Sequence, residues 1–413
     1  MPDPRRHAPD LERTPPDWAD GPTRGLRDTS GPSDFARGPE RPRERPARAG
    51  STPQTLQNVE ALRGVAVLLV VLFHLYGLET HYVAGVHLLP TFLRMGRGGV
   101  DLFFVISGVV MVVSTRGRPG EPGRFLLRRV LRIYPLYWFF SLLTLTVYVL
   151  PAAAENSVWR DANLLASFLL WPQEKAPLLS VGWTLWHELY FYLVFAALIG
   201  GRRPRLVRGV VAWSAFVAVG GLAYATFIEP AGWPLLRIAT DPLTFEFVAG
   251  CLIGWRLGRG GLRGGAAALL CGIGLGCVAA VVYPEGLTDS LPHRWARAAL
   301  LGVPAALVVY GAVALDAERG WRFPRWLVLV GAASYSIYLS HMLVLAVGRR
   351  AWFLVVPNGH VASGGVLDGA DNVVAIAVLL AAVLATGAAS YRLLERPLMQ
   401  RVRQRLRRPT PAR

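Results

Sequence analysis

The sequence predicts an all-helical membrane protein, a bundle of about ten transmembrane helices with both termini in the cytoplasm. Hydrophobic residues make up 53% of the 413 residues, and charged residues only 17%. The apolar residues occur in blocks of about 17 to 25, the length that a helix needs to cross a bilayer. Arginines collect between alternate blocks, which predicts the orientation.

Ten apolar blocks are long enough to be candidate spans. They are residues 59–78, 98–114, 131–150, 181–199, 206–228, 241–257, 265–283, 295–314, 327–348 and 372–394. The first span is expected to remain in the protein as a signal anchor, because Arg5 and Arg6 lie far from any apolar run and no small-residue cleavage pattern follows it closely.

Lysine and arginine are concentrated in the connections after the even-numbered spans. Examples are Arg116, Arg118, Arg124 and Arg128 after the second span, Arg202, Arg203, Arg205 and Arg208 after the fourth, and Arg396 to Arg413 after the tenth. The positive-inside bias therefore places the even connections and both termini in the cytoplasm. It also accounts for the net charge of +17 without a separate basic domain, so no nucleic-acid partner is predicted.

The two ends of the chain differ from its middle. Residues 1–58 are basic, rich in Pro and Gly and without apolar periodicity, which is typical of a disordered cytoplasmic tail. Residues 59–397 form the predicted integral membrane domain, and residues 398–413 a second basic cytoplasmic tail. The three cysteines show neither metal-ligand nor disulfide spacing, so they are expected to be packing residues and no metal is predicted.

The first span carries Arg63 and His74 on one face. They are eleven residues apart, almost three helical turns and about 16 Å along the axis, and Glu60 shares the face. A lipid-facing Arg or His would be costly, so this face should look into the bundle or a wet cavity. The alternative is that Glu60 pairs with Arg63 near the headgroups and His74 makes a structural hydrogen bond.

Sorted by predicted depth, the ionisable residues form two layers. The outer layer contains His74, Asp101, Glu188 and His341, whose side chains exchange protons and suit general acid or base catalysis. Glu246 lies near the outer start of the sixth span, at a similar depth, but a structural hydrogen bond is the favoured role for it.

The cytoplasmic layer contains Arg63, Arg129 and Arg132, with Glu395 and Arg396 nearby in depth. Guanidinium groups bind phosphate well, so this layer suits a phosphorylated cytosolic compound. The alternative for Arg129 and Arg132 is that they only reflect the positive-inside bias.

Six segments together resemble the acyltransferase family 3 membrane proteins, which O-acylate glycans and other cell-surface or secreted acceptors. They are NVEALRGVAVLLVVLFHLYG, GGVDLFFVISGVVM, FLLRRVLRIYPLYW, SVGWTLWHELYFYLVF, GAASYSIYLSHMLV and YRLLERP, and the similarity covers about residues 55–400. The resemblance implies ten spans in a bacterial inner membrane. It also implies an acyl-CoA donor, with acetyl-CoA as the first candidate, and a glycan or lipid-linked acceptor that is reached from the outer side. It assigns Arg63 and His74 to the functional pair and Arg129 and Arg132 to the cytoplasmic arginine motif.

The fourth span departs from the family pattern. It reads GWTLWHELYFY, in which His187 is an additional titratable residue without an assigned role. Trp183, Trp186 and Tyr190 suit stacking against a sugar ring, and Trp183, Tyr190 and His341 are the predicted acceptor-binding residues. The alternative for the aromatic residues is an interfacial belt against the lipid headgroups.

The predicted reaction is acyl transfer from a thioester to a hydroxyl. His74 takes the hydroxyl proton, Asp101 or Glu188 orients the imidazole, and the donor lies beside Arg63, Arg129 and Arg132. The sequence leaves open whether transfer is direct or passes through acylated His74.

Two other classes of function fit parts of the sequence. A proton-coupled exporter or flippase for an envelope precursor also needs buried ionisable residues, and would be recognised by transport without acyl-CoA. A non-catalytic partner in a polysaccharide-assembly complex would explain the basic tails, and would keep its phenotype after His74→Ala.

Overall fold

The computed structural model describes residues 56–82, 87–116, 121–149, 163–200, 204–224, 226, 232–283, 291–355 and 366–407. Most of the predicted N-terminal tail and the last six residues of the predicted C-terminal tail lie outside these ranges. The described ends of both predicted tails are helical: residues 56–58 open the first helix, and residues 398–407 belong to the last.

All regular structure in these ranges is helical. The helices are α1 Leu56–Tyr82, α2 Gly98–Thr115, α3 Pro122–Val149, α4 Leu164–Leu169, α5 Gly182–Ile199, α6 Pro204–Ala223, α7 Pro234–Ala239, α8 Thr244–Arg259, α9 Gly265–Val282, α10 Leu291–Arg297, α11 Val303–Arg319, α12 Arg325–Ala332, α13 Ser334–Val355, α14 Val366–Ser390 and α15 Arg396–Arg407. A 3₁₀ helix at Thr91–Arg97 precedes α2. The all-α prediction is confirmed.

Each of the ten predicted spans overlaps a helix, but fewer helices are long and apolar enough to cross a bilayer on their own. Six helical segments meet that standard, and a bent pair formed by α12 and α13 would be a seventh. The helices at the predicted fourth, fifth and sixth spans, α5, α6 and α8, are shorter or more polar. The described residues therefore form an all-helical fold with six or seven candidate membrane spans, while the total of ten and the orientation stay predictions.

Glycines let neighbouring helices touch through their backbones. A Cβ atom added to Gly331 of α12 would lie 1.7 Å from the carbonyl oxygen of Glu60 on α1, and one added to Gly250 of α8 would lie 1.9 Å from that of Val105 on α2. Small residues at helix crossings permit such approaches in membrane proteins. The first contact fixes α1, which carries both Arg63 and His74, against α12.

The predicted ninth span is not one straight helix. Helices α12 and α13 meet at an angle of 69° around Ala333. The break places Ser334, whose side chain is fully buried, at the start of α13, where its Oγ accepts a hydrogen bond of 3.2 Å from Arg63 Nε. The bend thus helps to position a predicted site residue.

Two π-helical turns interrupt longer helical runs. Ala298–Gly302 joins α10 to α11, and Tyr391–Glu395 joins α14 to α15. Such turns often occur where a helix presents a functional side chain. Here the first follows Arg297 directly and the second contains Glu395, and both of these charged side chains are buried.

Candidate active site

The three arginines that were predicted for the cytoplasmic layer line one cavity of about 80 Å³. It lies among α1, α2, α3, α5 and the α12–α13 break, and we call it the arginine cavity. Its wall includes Arg63, Arg129, Arg132, Glu188, Ser107, Thr184 and Ser334, with the aromatic residues Phe103, Phe104, Tyr192, Tyr335 and Tyr338. Three guanidinium groups and one carboxylate thus line the same space, which favours an anionic ligand.

Each arginine of this cavity is held by neighbouring groups. Arg63 bonds to Ser334, as described above. Arg129 donates to Ser114 Oγ at 3.1 Å and lies over the ring of Tyr192 at 5.3 Å. Arg132 is repelled by the like charge of Arg63 and is attracted by the buried carboxylate of Glu395. These contacts orient the guanidinium groups towards the cavity before any ligand enters.

Glu188, which was predicted to lie in the outer layer with His74 and His341, lies beside the arginines in this structure. It lines the arginine cavity and accepts a hydrogen bond from the Tyr192 hydroxyl. The physical reason is the length of α3, which begins at Pro122, nine residues before the predicted start. Arg129 and Arg132 therefore lie about two and three turns inside that helix rather than at its mouth.

His74 and His341 form a close pair. Their ring centroids are 4.9 Å apart, and the rings meet edge to face. Tyr338, which lines the arginine cavity, has its ring centroid 5.7 Å from that of His341. The histidine pair therefore adjoins the wall of the arginine cavity through Tyr338.

The hydrogen bonds of the two histidines define their tautomers. Nδ1 of His74 lies 2.9 Å from the carbonyl oxygen of Val70, and Nδ1 of His341 lies 2.7 Å from that of Tyr338. A carbonyl oxygen only accepts, so each Nδ1 carries the proton and each neutral ring keeps its lone pair on Nε2. Nε2 of His341 is buried without a hydrogen-bond partner among the residues described. The pair is chemically suited to accept protons or hydrogen bonds.

Asp101 does not contact His74. Both of its carboxylate oxygens accept from Arg297, Oδ1 from Nε at 3.1 Å and Oδ2 from Nη2 at 2.9 Å, and both side chains are buried. Since Glu188 bonds to Tyr192, the expected contact of a carboxylate with the His74 ring is absent, and the backbone of Val70 orients that ring instead.

The predicted aromatic acceptor residues occupy different places. Trp183 lines a second cavity, and the guanidinium of Arg297 lies 5.6 Å from its ring centroid. Tyr190 lines neither cavity: its hydroxyl donates to the carbonyl of Ala239 at 3.0 Å and accepts from Trp213 Nε1 at 2.9 Å. The structure therefore gives Tyr190 a role in packing α5 against its neighbours.

Three charged residues, two in the second half of α10 and one just before α8, were not among the predicted site residues. Arg297 binds Asp101, and Asp241 accepts from Arg294 and lies 3.2 Å from Nε2 of His187. The sequence did contain a signal, because Arg294 and Arg297 adjoin a connection predicted to be external, where the positive-inside bias disfavours arginine. An arginine placed against that bias is a candidate for an internal carboxylate partner.

Apolar helices long enough to span a bilayer, packed around a cavity lined by three half-buried arginines and beside a histidine pair, define an integral membrane protein with an internal polar cavity. Residues 56–392 match the family model described as an acyltransferase domain. The chain therefore belongs to the acyltransferase family 3 membrane proteins, and it is an enzyme of the O-acyltransferase class.

Curated relatives agree with this family. The chain is 35% identical over 329 residues to the exopolysaccharide production protein ExoZ of Rhizobium meliloti (strain 1021), covering 75% of this chain and 92% of the relative. It is 28% identical over 283 residues to the acyltransferase MdmB of Streptomyces mycarofaciens, covering 62% and 70%. It is 21% identical over 343 residues to the peptidoglycan O-acetyltransferase OatA of Listeria monocytogenes, covering 73% of this chain and 51% of the relative. No solved structure matches the chain.

Proposed function

We propose that this protein transfers an acyl group from cytoplasmic acyl-CoA to a hydroxyl of a cell-envelope glycan or a related lipid-linked acceptor. Acetyl is the first candidate for the acyl group. The bacterial inner membrane is its proposed location. One observation carries the proposal: three arginines line a single cavity, and a wall residue of that cavity, Tyr338, contacts His341 of the histidine pair through its tilted ring.

The arginine cavity supplies the donor end of the proposed site. Arg63, Arg129 and Arg132 would bind phosphate groups of coenzyme A through charge-assisted hydrogen bonds. The cavity is too small to enclose the whole nucleotide, so the remainder would lie towards the cytoplasm. Arg63 and His74 are about 16 Å apart along α1, and the long pantetheine arm of the donor is the part that would extend across this distance.

His74 supplies the base. Its Nε2 would take the proton of the acceptor hydroxyl while the hydroxyl oxygen forms a bond to the thioester carbonyl carbon. The carbon–sulfur bond then breaks, and the leaving thiolate takes the proton back from the imidazolium. His341, with its unpartnered Nε2, would accept a hydrogen bond from the acceptor and hold it beside His74.

The carboxylates enter this mechanism indirectly. Asp101 holds Arg297, and Glu188 holds Tyr192 at the edge of the arginine cavity.

The acceptor class rests on the relatives, whose printed names refer to exopolysaccharide production and to peptidoglycan O-acetylation. Stepwise transfer through acylated His74 uses the same residues.

The donor assignment can be tested by titrating purified full-length variants with acetyl-CoA. Arg132→Lys keeps the charge but loses the planar guanidinium, so we expect measurably weaker binding, and Arg132→Gln should weaken it much further. Arg128→Gln is the matched control, since it removes the same charge from the same helix but lies outside the arginine cavity.

The pattern among the variants decides the assignment. If the arginines of α3 only set orientation, Arg132→Gln and Arg128→Gln would bind acetyl-CoA like the unmodified protein once correct insertion is confirmed. Such a result would remove the donor role from the arginine cavity.

One feature favours the alternative of a proton-coupled exporter. The 69° break between α12 and α13 resembles the discontinuous helices that transporters use near their binding sites. Reconstituted vesicles separate the two functions, because an exporter moves an envelope precursor without acyl-CoA, whereas the proposed enzyme produces no ester unless acyl-CoA is supplied.

A further inference from the structure

A second cavity of about 340 Å³ lies on the other face of α5, and we call it the tryptophan cavity. It is lined by the segment that leads into α5, by the start of α7 and by Arg294 of α10. These segments belong to connections that the arginine distribution predicts to be external. The volume lies within the range of pockets that bind small molecules.

Three indole rings contribute to this wall. Trp183 and Trp186 come from α5, and Trp233 precedes α7 and is 61% exposed. Flat aromatic faces beside polar side chains suit a sugar, which presents apolar C–H surfaces and hydroxyl groups together.

One polar atom of the wall lacks a partner. Trp186 is only 9% exposed, and its Nε1 makes no hydrogen bond to any described residue. Nε1 is itself buried, and a buried donor left unsatisfied costs about 1–3 kcal/mol, so a turn of the indole that brings this N–H to a ligand oxygen in the cavity would recover that cost. The indole thus points to a ligand with acceptor oxygens.

The charges of the wall are mostly positive. Lys175, Arg237 and Arg294 line the cavity, against the single carboxylate of Glu174. Asp241 lies behind Arg294 and is engaged with it and with His187. Arginine and lysine at the edge of an aromatic pocket favour an anionic group on the ligand.

We propose that the tryptophan cavity is an acceptor subsite and that it takes a glycan unit bearing a carboxylate. The indole rings would stack on the sugar, Trp186 would donate to one of its oxygens, and Arg237 with Lys175 would bind the carboxylate. This inference rests on the proposed function, since it names the acceptor class of that reaction.

Direct binding tests it without acyl transfer. The full chain in zwitterionic lipid nanodiscs is titrated calorimetrically with a glucuronic acid trisaccharide and with the matching neutral glucose trisaccharide. We expect the acidic sugar to bind at least about tenfold more tightly, because it adds a charge-assisted contact. Arg237→Gln should abolish this preference, and Trp186→Phe, which keeps a ring but removes the N–H, should weaken both sugars about fivefold to tenfold.

Arg325→Gln, an exposed arginine outside both cavities, is the control and should bind both sugars unchanged. Equal binding of the two sugars, or a preference that survives Arg237→Gln, would overturn the inference and leave the tryptophans as an interfacial belt. Arg237→Gln keeps the test valid even where Trp186→Phe fails to fold.

Acetyl-CoA titrated into the same samples separates the two proposals. Acetyl-CoA binding without a preference for the acidic sugar rejects the acidic subsite alone. Preference for the acidic sugar without acetyl-CoA binding rejects the donor assignment and leaves the sugar site in place.

Discussion

Neutralising Asp101 should destabilise the protein strongly, because this carboxylate faces a buried arginine. Asp101 has no exposed surface and Arg297 is 3% exposed, and two hydrogen bonds of 3.1 and 2.9 Å join them. The change Asp101→Asn leaves the guanidinium without its counter-charge. Removing one partner of a buried ion pair typically costs about 3–5 kcal/mol.

Glu246 decides where in that range the effect should fall. It is buried and is an electrostatic neighbour of both Asp101 and Arg297. After Asp101→Asn, the Glu246 carboxyl group can ionise and offset part of the charge of Arg297. We therefore expect the lower end, about 3 kcal/mol, which for a chain of 413 residues corresponds to a fall of about 3–4 °C in melting temperature, at an unfolding entropy of about 2.1 cal/mol/K per residue.

The assay is thermal unfolding of the detergent-solubilised protein, followed by fluorescence-detected size exclusion after heating. Asp101→Asn and Arg297→Gln are each compared with the double variant. A double variant that loses less stability than the sum of the single losses shows that the pair is coupled.

Enzyme activity of the same variants separates structure from chemistry. If Asp101 acts only by holding Arg297, the activity of each variant should follow its folded fraction. An Asp101→Asn protein with unchanged melting temperature and no acyl transfer would refute this reasoning and restore Asp101 as a catalytic residue.

Four further predictions follow from the site and the helix crossings. His74→Ala should lower acyl transfer by about 10²- to 10⁴-fold at normal accumulation in the membrane, and normal ester production would reject the base assignment. His341→Phe keeps a ring but removes Nε2, so kcat/KM for the acceptor should fall by roughly 5- to 100-fold, whereas an unchanged value would reject an acceptor contact. Gly331→Ala places a methyl group against the α1 backbone and should weaken both thermal stability and acetyl-CoA binding; a variant unchanged in both would contradict the close crossing. In a cysteine-free background, an impermeant thiol reagent should label Thr91→Cys but not Arg263→Cys in intact cells, and the reverse would overturn the orientation.

The sequence was sufficient for the features that depend on local periodicity. The spacing of Arg63 and His74 placed both on one face of α1, and the structure puts Arg63 at the arginine cavity and His74 beside His341. Hydropathy alone predicted a helical segment at each apolar block. The arginines of α3 were expected near Arg63, and Arg129 and Arg132 do share its cavity.

Features that depend on distant partners were not predictable in the same way. Asp101 is 196 residues from Arg297, and no local pattern pairs them. The break at Ala333 lies inside one predicted span, and neither a proline nor a charged residue marks it in the sequence. The helix at Arg396–Arg407 was predictable in principle, since Leu398, Val402 and Leu406 recur at helical spacing among its arginines.

Helix α5 explains how one departure from the family pattern fits the site. Thr184, Glu188 and Tyr192 are spaced four residues apart and face the arginine cavity, while Trp183 and His187 face the tryptophan cavity. Adjacent residues on a helix are about 100° apart, so neighbours in sequence can serve opposite walls. The additional His187 is therefore separated from Glu188 by the body of the helix. If the two cavities bind acceptor and donor as we propose, a substitution at this position changes the acceptor side and leaves the donor side as it is in the family.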